Sequence, residues 1–306
     1  MISLREKQEG LSEQDKASAL MVLKDYGEKR WSEKWMSHIS FPSTIDVLND
    51  KEDVLRYMLL RALINQQAKV EKARQLPKRL YEEFTETLLY SPWEIDPYRL
   101  FDILVDVAGE KGSDLYKVGA LGGIKPTSLF LYRFYSFTLY IKTLGNIKLY
   151  NIIKNFSSPY GIHMYFKNNT FLSAGWVGND PKACRMLADW ITFLFEEVWK
   201  ENVKFKLKDS LMIVDGHVGK VFSRSGLIEN VYYEKKRPYI IQAAKMRSEI
   251  ERLVKQYNFT PFYVDNGAFY LFEDGYCNEL NPKCNECPLT IYCKKYVKWT
   301  AYQQLK

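Results

Sequence analysis

An all-α architecture is the expectation for this 306-residue chain, and three features carry it. Nearly every segment reads as a short helix, with apolar residues three and four apart. Clusters of Gly, Pro, Asn and Asp punctuate these segments. There is no internal repeat, low-complexity tract or linker long enough to separate independent domains. One short hairpin is allowed around HMYFKNNTFL.

Residues 1 to 48 read as helices without a chemical signature. Asp50 is placed to cap a helix through DVLRYMLLRALINQQAKV, whose apolar positions are Val54, Leu55, Met58, Leu59, Ala62 and Leu63. LYEEFTETLLY, FDILVDVAG and SLFLYRFYSFTLYIKTLG continue the helical pattern, with GALGGIKP as a turn before the last. In AGWVGNDPKACRMLADWITFLFEEVW, Gly175 and Gly178 bracket a tight turn, and Asp180-Pro181 supplies a capping residue and a first-position proline. The helix that follows has one apolar face: Ala183, Met186, Leu187, Trp190, Ile191, Leu194 and Val198. SLMIVDGHVGKVFSRSGL is an apolar run that stops at Asp215 and becomes another helix.

With 46% hydrophobic and 15% aromatic residues, the chain can bury one large core or two modest ones without cysteine cross-links. No N-terminal apolar run resembles a signal peptide and none approaches eighteen residues, so a soluble, intracellular protein without membrane partners is expected. The net charge is +7, and between Lys111 and Phe171 eight Lys or Arg and one acid, Asp114, interleave with thirteen Phe and Tyr. Such a segment fits a surface that follows phosphates and stacks on bases. It also fits a core helix whose lysines are solvated.

Four of the five cysteines fall within DGYCNELNPKCNECPLTIYC, spaced Cys277-x6-Cys284-x2-Cys287-x5-Cys293. Clustered thiols in a reducing compartment more often ligate metal than form disulfides. A structural zinc site usually pairs two C-x2-C knuckles, and only one is present. Unequal loops suit an iron–sulfur cluster better, although this is not the ferredoxin spacing. Zinc stays open on spacing alone.

The cysteine spacing resembles the four-iron, four-sulfur loop of the endonuclease III and adenine-glycosylase branch of the helix-hairpin-helix DNA glycosylase superfamily. The approach, FYVDNGAFYLFEDGYC, is similar to that family's turn, apolar helix and glycine before the first ligand. The resemblance covers roughly residues 50 to 300 and implies a four-iron, four-sulfur cluster on Cys277, Cys284, Cys287 and Cys293. It also implies a two-lobed helical fold with the active site in the cleft. The corresponding division is 1–50, N-terminal helices on the cluster lobe; 51–225, a helical bundle with the hairpin at about 174–182 and the catalytic aspartate; and 226–306, C-terminal helices with the loop at 277–293.

IVDGHVGKVFSRSGL is similar to the segment that delivers the family's catalytic aspartate, which makes Asp215 the corresponding residue. A fixed carboxylate stabilises the positive charge that develops on the sugar when an N-glycosidic bond breaks. An N-cap role alone would also place an aspartate there. His217 matches in type and is expected to contact DNA, or to pack; Lys220 and Arg224 are candidates for phosphate. AGWVG stands where the family has L-P-G-V-G: Gly175, Trp176, Val177 and Gly178 are expected on the DNA backbone, with Val177 and Gly178 matching and Ala174, Gly175 and Trp176 departing. Lys182 is the counterpart of the lysine that forms a Schiff base in bifunctional members.

Two departures bear on Lys182: Asn179, Asp180 and Pro181 intervene after the hairpin glycine, and the residue lies 33 positions before Asp215. The long gap resembles the archaeal 8-oxoguanine DNA glycosylases, which generally lack the cluster. A two-residue shift would place Cys184 at the lysine position and imply a monofunctional enzyme. LLRALINQQAKV resembles the helix whose glutamine fills the gap left by an extruded nucleotide, with Gln67 the better match and Gln66 next.

The resemblance thus implies a monomeric base-excision-repair DNA glycosylase with AP lyase activity, acting on double-stranded DNA with a damaged base or abasic site. The compartment would be the nucleoid-associated cytoplasm or the nucleus. The alternatives are a monofunctional glycosylase, a non-catalytic DNA-binding or damage-sensing relative, and a zinc-ribbon-like adaptor. The lesion is not specified by the sequence.

Overall fold

The computed structural model describes residues 10–66, 68–109, 114–115, 126–228, 238–278 and 281–295, with backbone alone for 238–245. Its helices are α1 (Glu13–Ile39), α2 (Lys51–Asn65), α3 (Val70–Tyr90), α4 (Pro97–Ala108), α5 (Pro126–Leu144), α6 (Leu149–Lys154), α7 (Pro159–Asn168), α8 (Thr170–Ser173), α9 (Lys182–Phe193), α10 (Gly216–Ser225), α11 (Pro238–Gln256) and α12 (Pro261–Glu273). No strand occurs among the described residues, so the chain is all-helical there. No described helix is long and apolar enough to cross a membrane.

The chain forms two compact units, one of residues 1–34 with 207–306 and one of residues 35–206. Residues 207–225, expected with the middle bundle, therefore belong to the unit that carries the cysteine loop. The cause is visible in the packing. Met212, Val214, Val218, Val221 and Phe222 join Ala19, Leu20 and Leu23 of α1, Ile250 and Val254 of α11 and Val264, Ala268 and Leu271 of α12 in one apolar core. Within it, α1 and α12 cross at glycines: a Cβ on Gly267 would fall inside the Leu23 carbonyl, and one on Gly27 would meet the Tyr263 carbonyl.

In the other unit α2 is central, against α3, α5, α6 and α9. The expected apolar face is buried, but so are Arg56, Tyr57 and Arg61, so α2 is enclosed all round from Val54 to Ile64. Asp50 holds the N-cap position of α2 without a side-chain bond to it; its Oδ2 accepts from the Asp46 backbone N–H at 3.0 Å.

The hairpin allowed around HMYFKNNTFL is corrected to two helices, α7 and α8. Ser158 caps α7 by accepting from Gly161 N–H, with Pro159 in its first turn, and Asn169 caps α8 by accepting from Phe171 and Leu172 N–H. Strong capping residues outweigh the local β preference of Tyr and Phe. The GALGGIKP turn lies outside the described residues up to position 125.

Candidate functional site

In the unit of residues 1–34 and 207–306, an extended run brings Asp215 to the start of α10. Leu211, Met212 and Val214 are buried, and carboxylates hold the run from beside it. Asp265 accepts from Ile213 N–H at 2.9 Å and Glu251 from Met212 N–H at 3.3 Å. Ser210 Oγ accepts from Phe262 N–H, which starts α12. Asp215 then caps α10: its Oδ1 accepts from His217 N–H at 2.8 Å and Val218 N–H at 2.9 Å. These bonds fix the carboxylate at the positive end of the helix dipole.

His217 packs its ring on Phe272 with centroids 3.7 Å apart and edge-on to Phe269. Lys220 lies over the same Phe272 ring at 5.4 Å.

Arg224, a phosphate candidate by sequence, is 2% exposed and serves the cysteine loop instead. Its Nη1 donates to the carbonyls of Cys277 at 2.8 Å and Asn278 at 2.9 Å, and reaches Cys277 Sγ at 3.7 Å. The end of α10 also meets the last cysteine. Cys293 Sγ donates to the Arg224 carbonyl at 3.7 Å, and Lys294 N–H to the Ser225 carbonyl at 3.0 Å. Cys277, Cys287 and Cys293 pack against the same apolar core as α10. Burial raises the thiol of Cys277, that of Cys287 to about 11, and that of Cys293, and each is also affected by other cysteines of the set, including Cys284.

Among the described residues no group of three or more His, Cys, Asp or Glu is already drawn to metal-holding geometry. The surroundings nevertheless suit an anionic iron–sulfur cluster. Arg224 Nε and Nη2 are buried without an acceptor among the described residues, beside Cys277 Sγ, and Lys295 N–H donates to Cys293 Sγ at 3.3 Å. Donors aimed at sulfur stabilise ligating thiolates. The loop's entrance is pinned by Asp274, which accepts from Arg30 Nη2 at 2.6 Å, Tyr26 Oη at 2.6 Å and Lys34 Nζ at 3.1 Å.

In the unit of residues 35–206 the AGWVG turn is built against α2 and α5. A Cβ on Gly175 would come within 2.9 Å of Leu63 Cδ2 and 3.0 Å of Ser136 Cβ. Trp176 is buried and donates Nε1 to the Phe166 carbonyl at 2.9 Å. Val177 is 39% exposed. Gly178 has φ +82° with open space around it, so backbone conformation is what favours glycine there.

Gln66, expected to fill an emptied base stack, is buried and tied to this turn. Its Nε2 donates to the Gly175 carbonyl at 2.7 Å, its Oε1 accepts from Val177 N–H at 2.7 Å, and its own carbonyl accepts from Arg133 Nη1 at 2.6 Å. The better match, Gln67, lies outside the described residues. Arg133 is thus one basic residue of the aromatic segment that does not face solvent. On the same helix Tyr132 and Tyr135 are exposed.

Lys182 is the first residue of α9, and the cap position is Pro181 rather than Asp180. Asp180 instead accepts from Arg185 Nη2 at 2.8 Å and lies 3.3 Å from His163 Nε2. These contacts tie Asp180 back onto α7 and α9. Cys184 is fully buried, its Sγ donates to the His163 carbonyl at 3.3 Å, and burial drives its thiol far above the ordinary range. A buried, protonated thiol is a poor nucleophile.

No protein-family model matches the chain, and no curated protein matches it either.

Sequence reasoning missed three contributors: Arg224 as the clasp of the loop, Asp274 as the anchor of its entrance, and Gln66 as the tie of the turn. Arg224 lay inside the quoted aspartate segment, and Asp274 stands three residues before Cys277. Nothing in the sequence marks Gln66 over Gln67.

Proposed function

We propose that the protein is a base-excision DNA glycosylase of the helix-hairpin-helix, iron–sulfur type, acting on a damaged base flipped from duplex DNA. The observation that carries the reading is that one helix joins its two key features. Asp215 caps the start of α10, and Arg224 near the end holds the first cysteine of the loop. Cys277, Cys284, Cys287 and Cys293 would hold a four-iron, four-sulfur cluster, which stabilises the loop rather than breaking bonds.

Asp215 supplies the fixed carboxylate. As the N-glycosidic bond lengthens, positive charge grows on the sugar, and a carboxylate held by two backbone N–H groups needs no reorganisation to stabilise it. Lys182 supplies the lyase step: its amine attacks the sugar carbon, the base departs, and the resulting Schiff base permits elimination of the 3′ phosphate. Its place as the first residue of α9, directly after the Gly175–Gly178 turn and residues 179–181, supports this role.

The Gly175–Gly178 turn would approach the DNA backbone through Val177 and Gly178, with Gln66 holding its shape and Trp176 rooting it. Gln67 is assigned to the vacated stack. The all-helical fold supports the helix-hairpin-helix assignment.

Borohydride trapping on abasic-site duplex tests the lyase reading. A covalent adduct with the wild-type protein that disappears in Lys182→Ala supports it; an undiminished adduct in that variant removes Lys182 from the role. A colourless protein containing zinc would favour the adaptor reading, whereas a brown protein containing iron supports the cluster.

A further inference from the structure

The unit of residues 35–206 encloses a concentration of positive charge that the proposed chemistry does not use. Arg61 on α2 is 2% exposed, and its Nε and Nη1 are buried with no acceptor among the described residues. Its guanidinium carbon lies 6.0 Å from the centre of the Trp190 ring on α9. The His38 ring, near the end of α1, meets the same indole edge-on at 5.9 Å. Arg74 on α3 donates Nη2 to His38 Nδ1 at 3.3 Å, while its own Nε is buried without a described acceptor. Two nitrogen-rich side chains, from α1 and α2, thus meet one indole of α9, and a third, from α3, meets the His38 ring.

No carboxylate is among the charges that shift Arg61. Burial lowers the imidazole of His38, and the charges that add to this are Arg74, Arg61 and Lys182, all cations. Burial, opposed by Tyr57 and reinforced by Arg74, brings Arg61 down to about 10, so it stays cationic at neutral pH. The indole face attracts a guanidinium but does not accept from its N–H edge. A buried guanidinium with two unfilled donors beside a second guanidinium is costly without a counter-ion.

We infer that Arg61, Arg74 and His38 form a binding site for a phosphate-class oxyanion. Such an ion offers several acceptor oxygens to donors converging from different directions, and the guanidinium fork matches its geometry. With His38 Nδ1 accepting from Arg74, the neutral ring carries its proton on Nε2, which makes that nitrogen a donor. The ion is either free in solution or a phosphate group of a nucleic acid; the chemistry of the site is the same, and the inference does not depend on the glycosylase reading.

Thermal melts and titration calorimetry with inorganic phosphate, at ionic strength balanced with chloride, test it. Tenfold saturation should raise the midpoint by about 3–6 °C for a unit of this size. Arg61→Met and Arg74→Gln should each abolish that rise, and Arg61→Met should melt no lower than the wild type without phosphate, because it removes an unpaired charge of similar volume. Displacement of the bound phosphate by undamaged duplex identifies a nucleic-acid phosphate as the source, and phosphate binding unaffected by duplex identifies the free ion. Absence of a phosphate-specific rise in the wild type, or an equal rise in both variants, overturns the inference.

Discussion

Arg224 Nη1 donates to the Cys277 carbonyl at 2.8 Å, and by that bond the helix capped by Asp215 is fastened to the first cysteine of the loop. Because the same nitrogen also serves the Asn278 carbonyl, Arg224→Met leaves two backbone acceptors without their donor. A loss of about 2–4 kcal/mol is expected. Iron bound per chain should fall with it, and Arg224→Lys should be intermediate, since an ammonium keeps the charge but not the fork. Thermal melts and iron analysis of the purified variants check this.

Two glycines separate steric from conformational demand. At Gly267 an added Cβ collides with the Leu23 backbone, and α1 and α12 would have to move apart; Gly267→Ala should cost more than about 3 kcal/mol or prevent folding. At Gly178 the φ of +82° is the constraint and the space is open, so Gly178→Ala should cost only about 1–2 kcal/mol. Denaturant unfolding of the two variants measures the contrast.

Asp274 makes stability depend on acid pH. Burial pushes its carboxyl up, but the bonds from Arg30, Tyr26 and Lys34 outweigh this and hold it down to about 2. The unfolded value is about 3.9. A depressed folded pKa gives stability that is complete above the unfolded value and is lost as pH falls toward the folded one, so the window is about pH 4 to 2. With the side chain 18% exposed, the contribution is roughly 2 kcal/mol. Unfolding free energy measured across that window should fall more steeply for the wild type than for Asp274→Asn.

Gln66 should behave as a structural residue. Gln66→Leu removes both side-chain bonds to the Gly175–Val177 turn and leaves the buried Gly175 carbonyl and the part-buried Val177 N–H without them, at a cost of about 1–3 kcal/mol. Calorimetric melting checks the loss.

Much of the helical frame was legible because periodicity and capping chemistry act locally. α4, α9 and α10 lie where apolar spacing put them, and Asp215 caps its helix as its place before Gly-His-Val suggested. What the sequence concealed depends on distant partners. Arg61 and Arg224 look like solvated positions in a helical pattern, yet α2 is buried on every side and α10 points its last turn at a loop more than fifty residues later. Asp180 resembled a cap, but Arg185 and His163 compete for its carboxylate. The HMYFKNNTFL segment misled because aromatic β preference is weaker than the Ser158 and Asn169 caps.

The central claim is that Asp215 is catalytic as well as a cap. Asparagine caps a helix about as well as aspartate, so Asp215→Asn separates the two roles. Single-turnover base release should be measured on duplexes carrying uracil, thymine glycol or 8-oxoguanine opposite each normal base. The account predicts release of at least one lesion by the wild type and a rate lower by roughly 10²–10⁴ in Asp215→Asn, with the melting temperature unchanged. An undiminished rate in the variant, or no release of any lesion by the wild type, would contradict it.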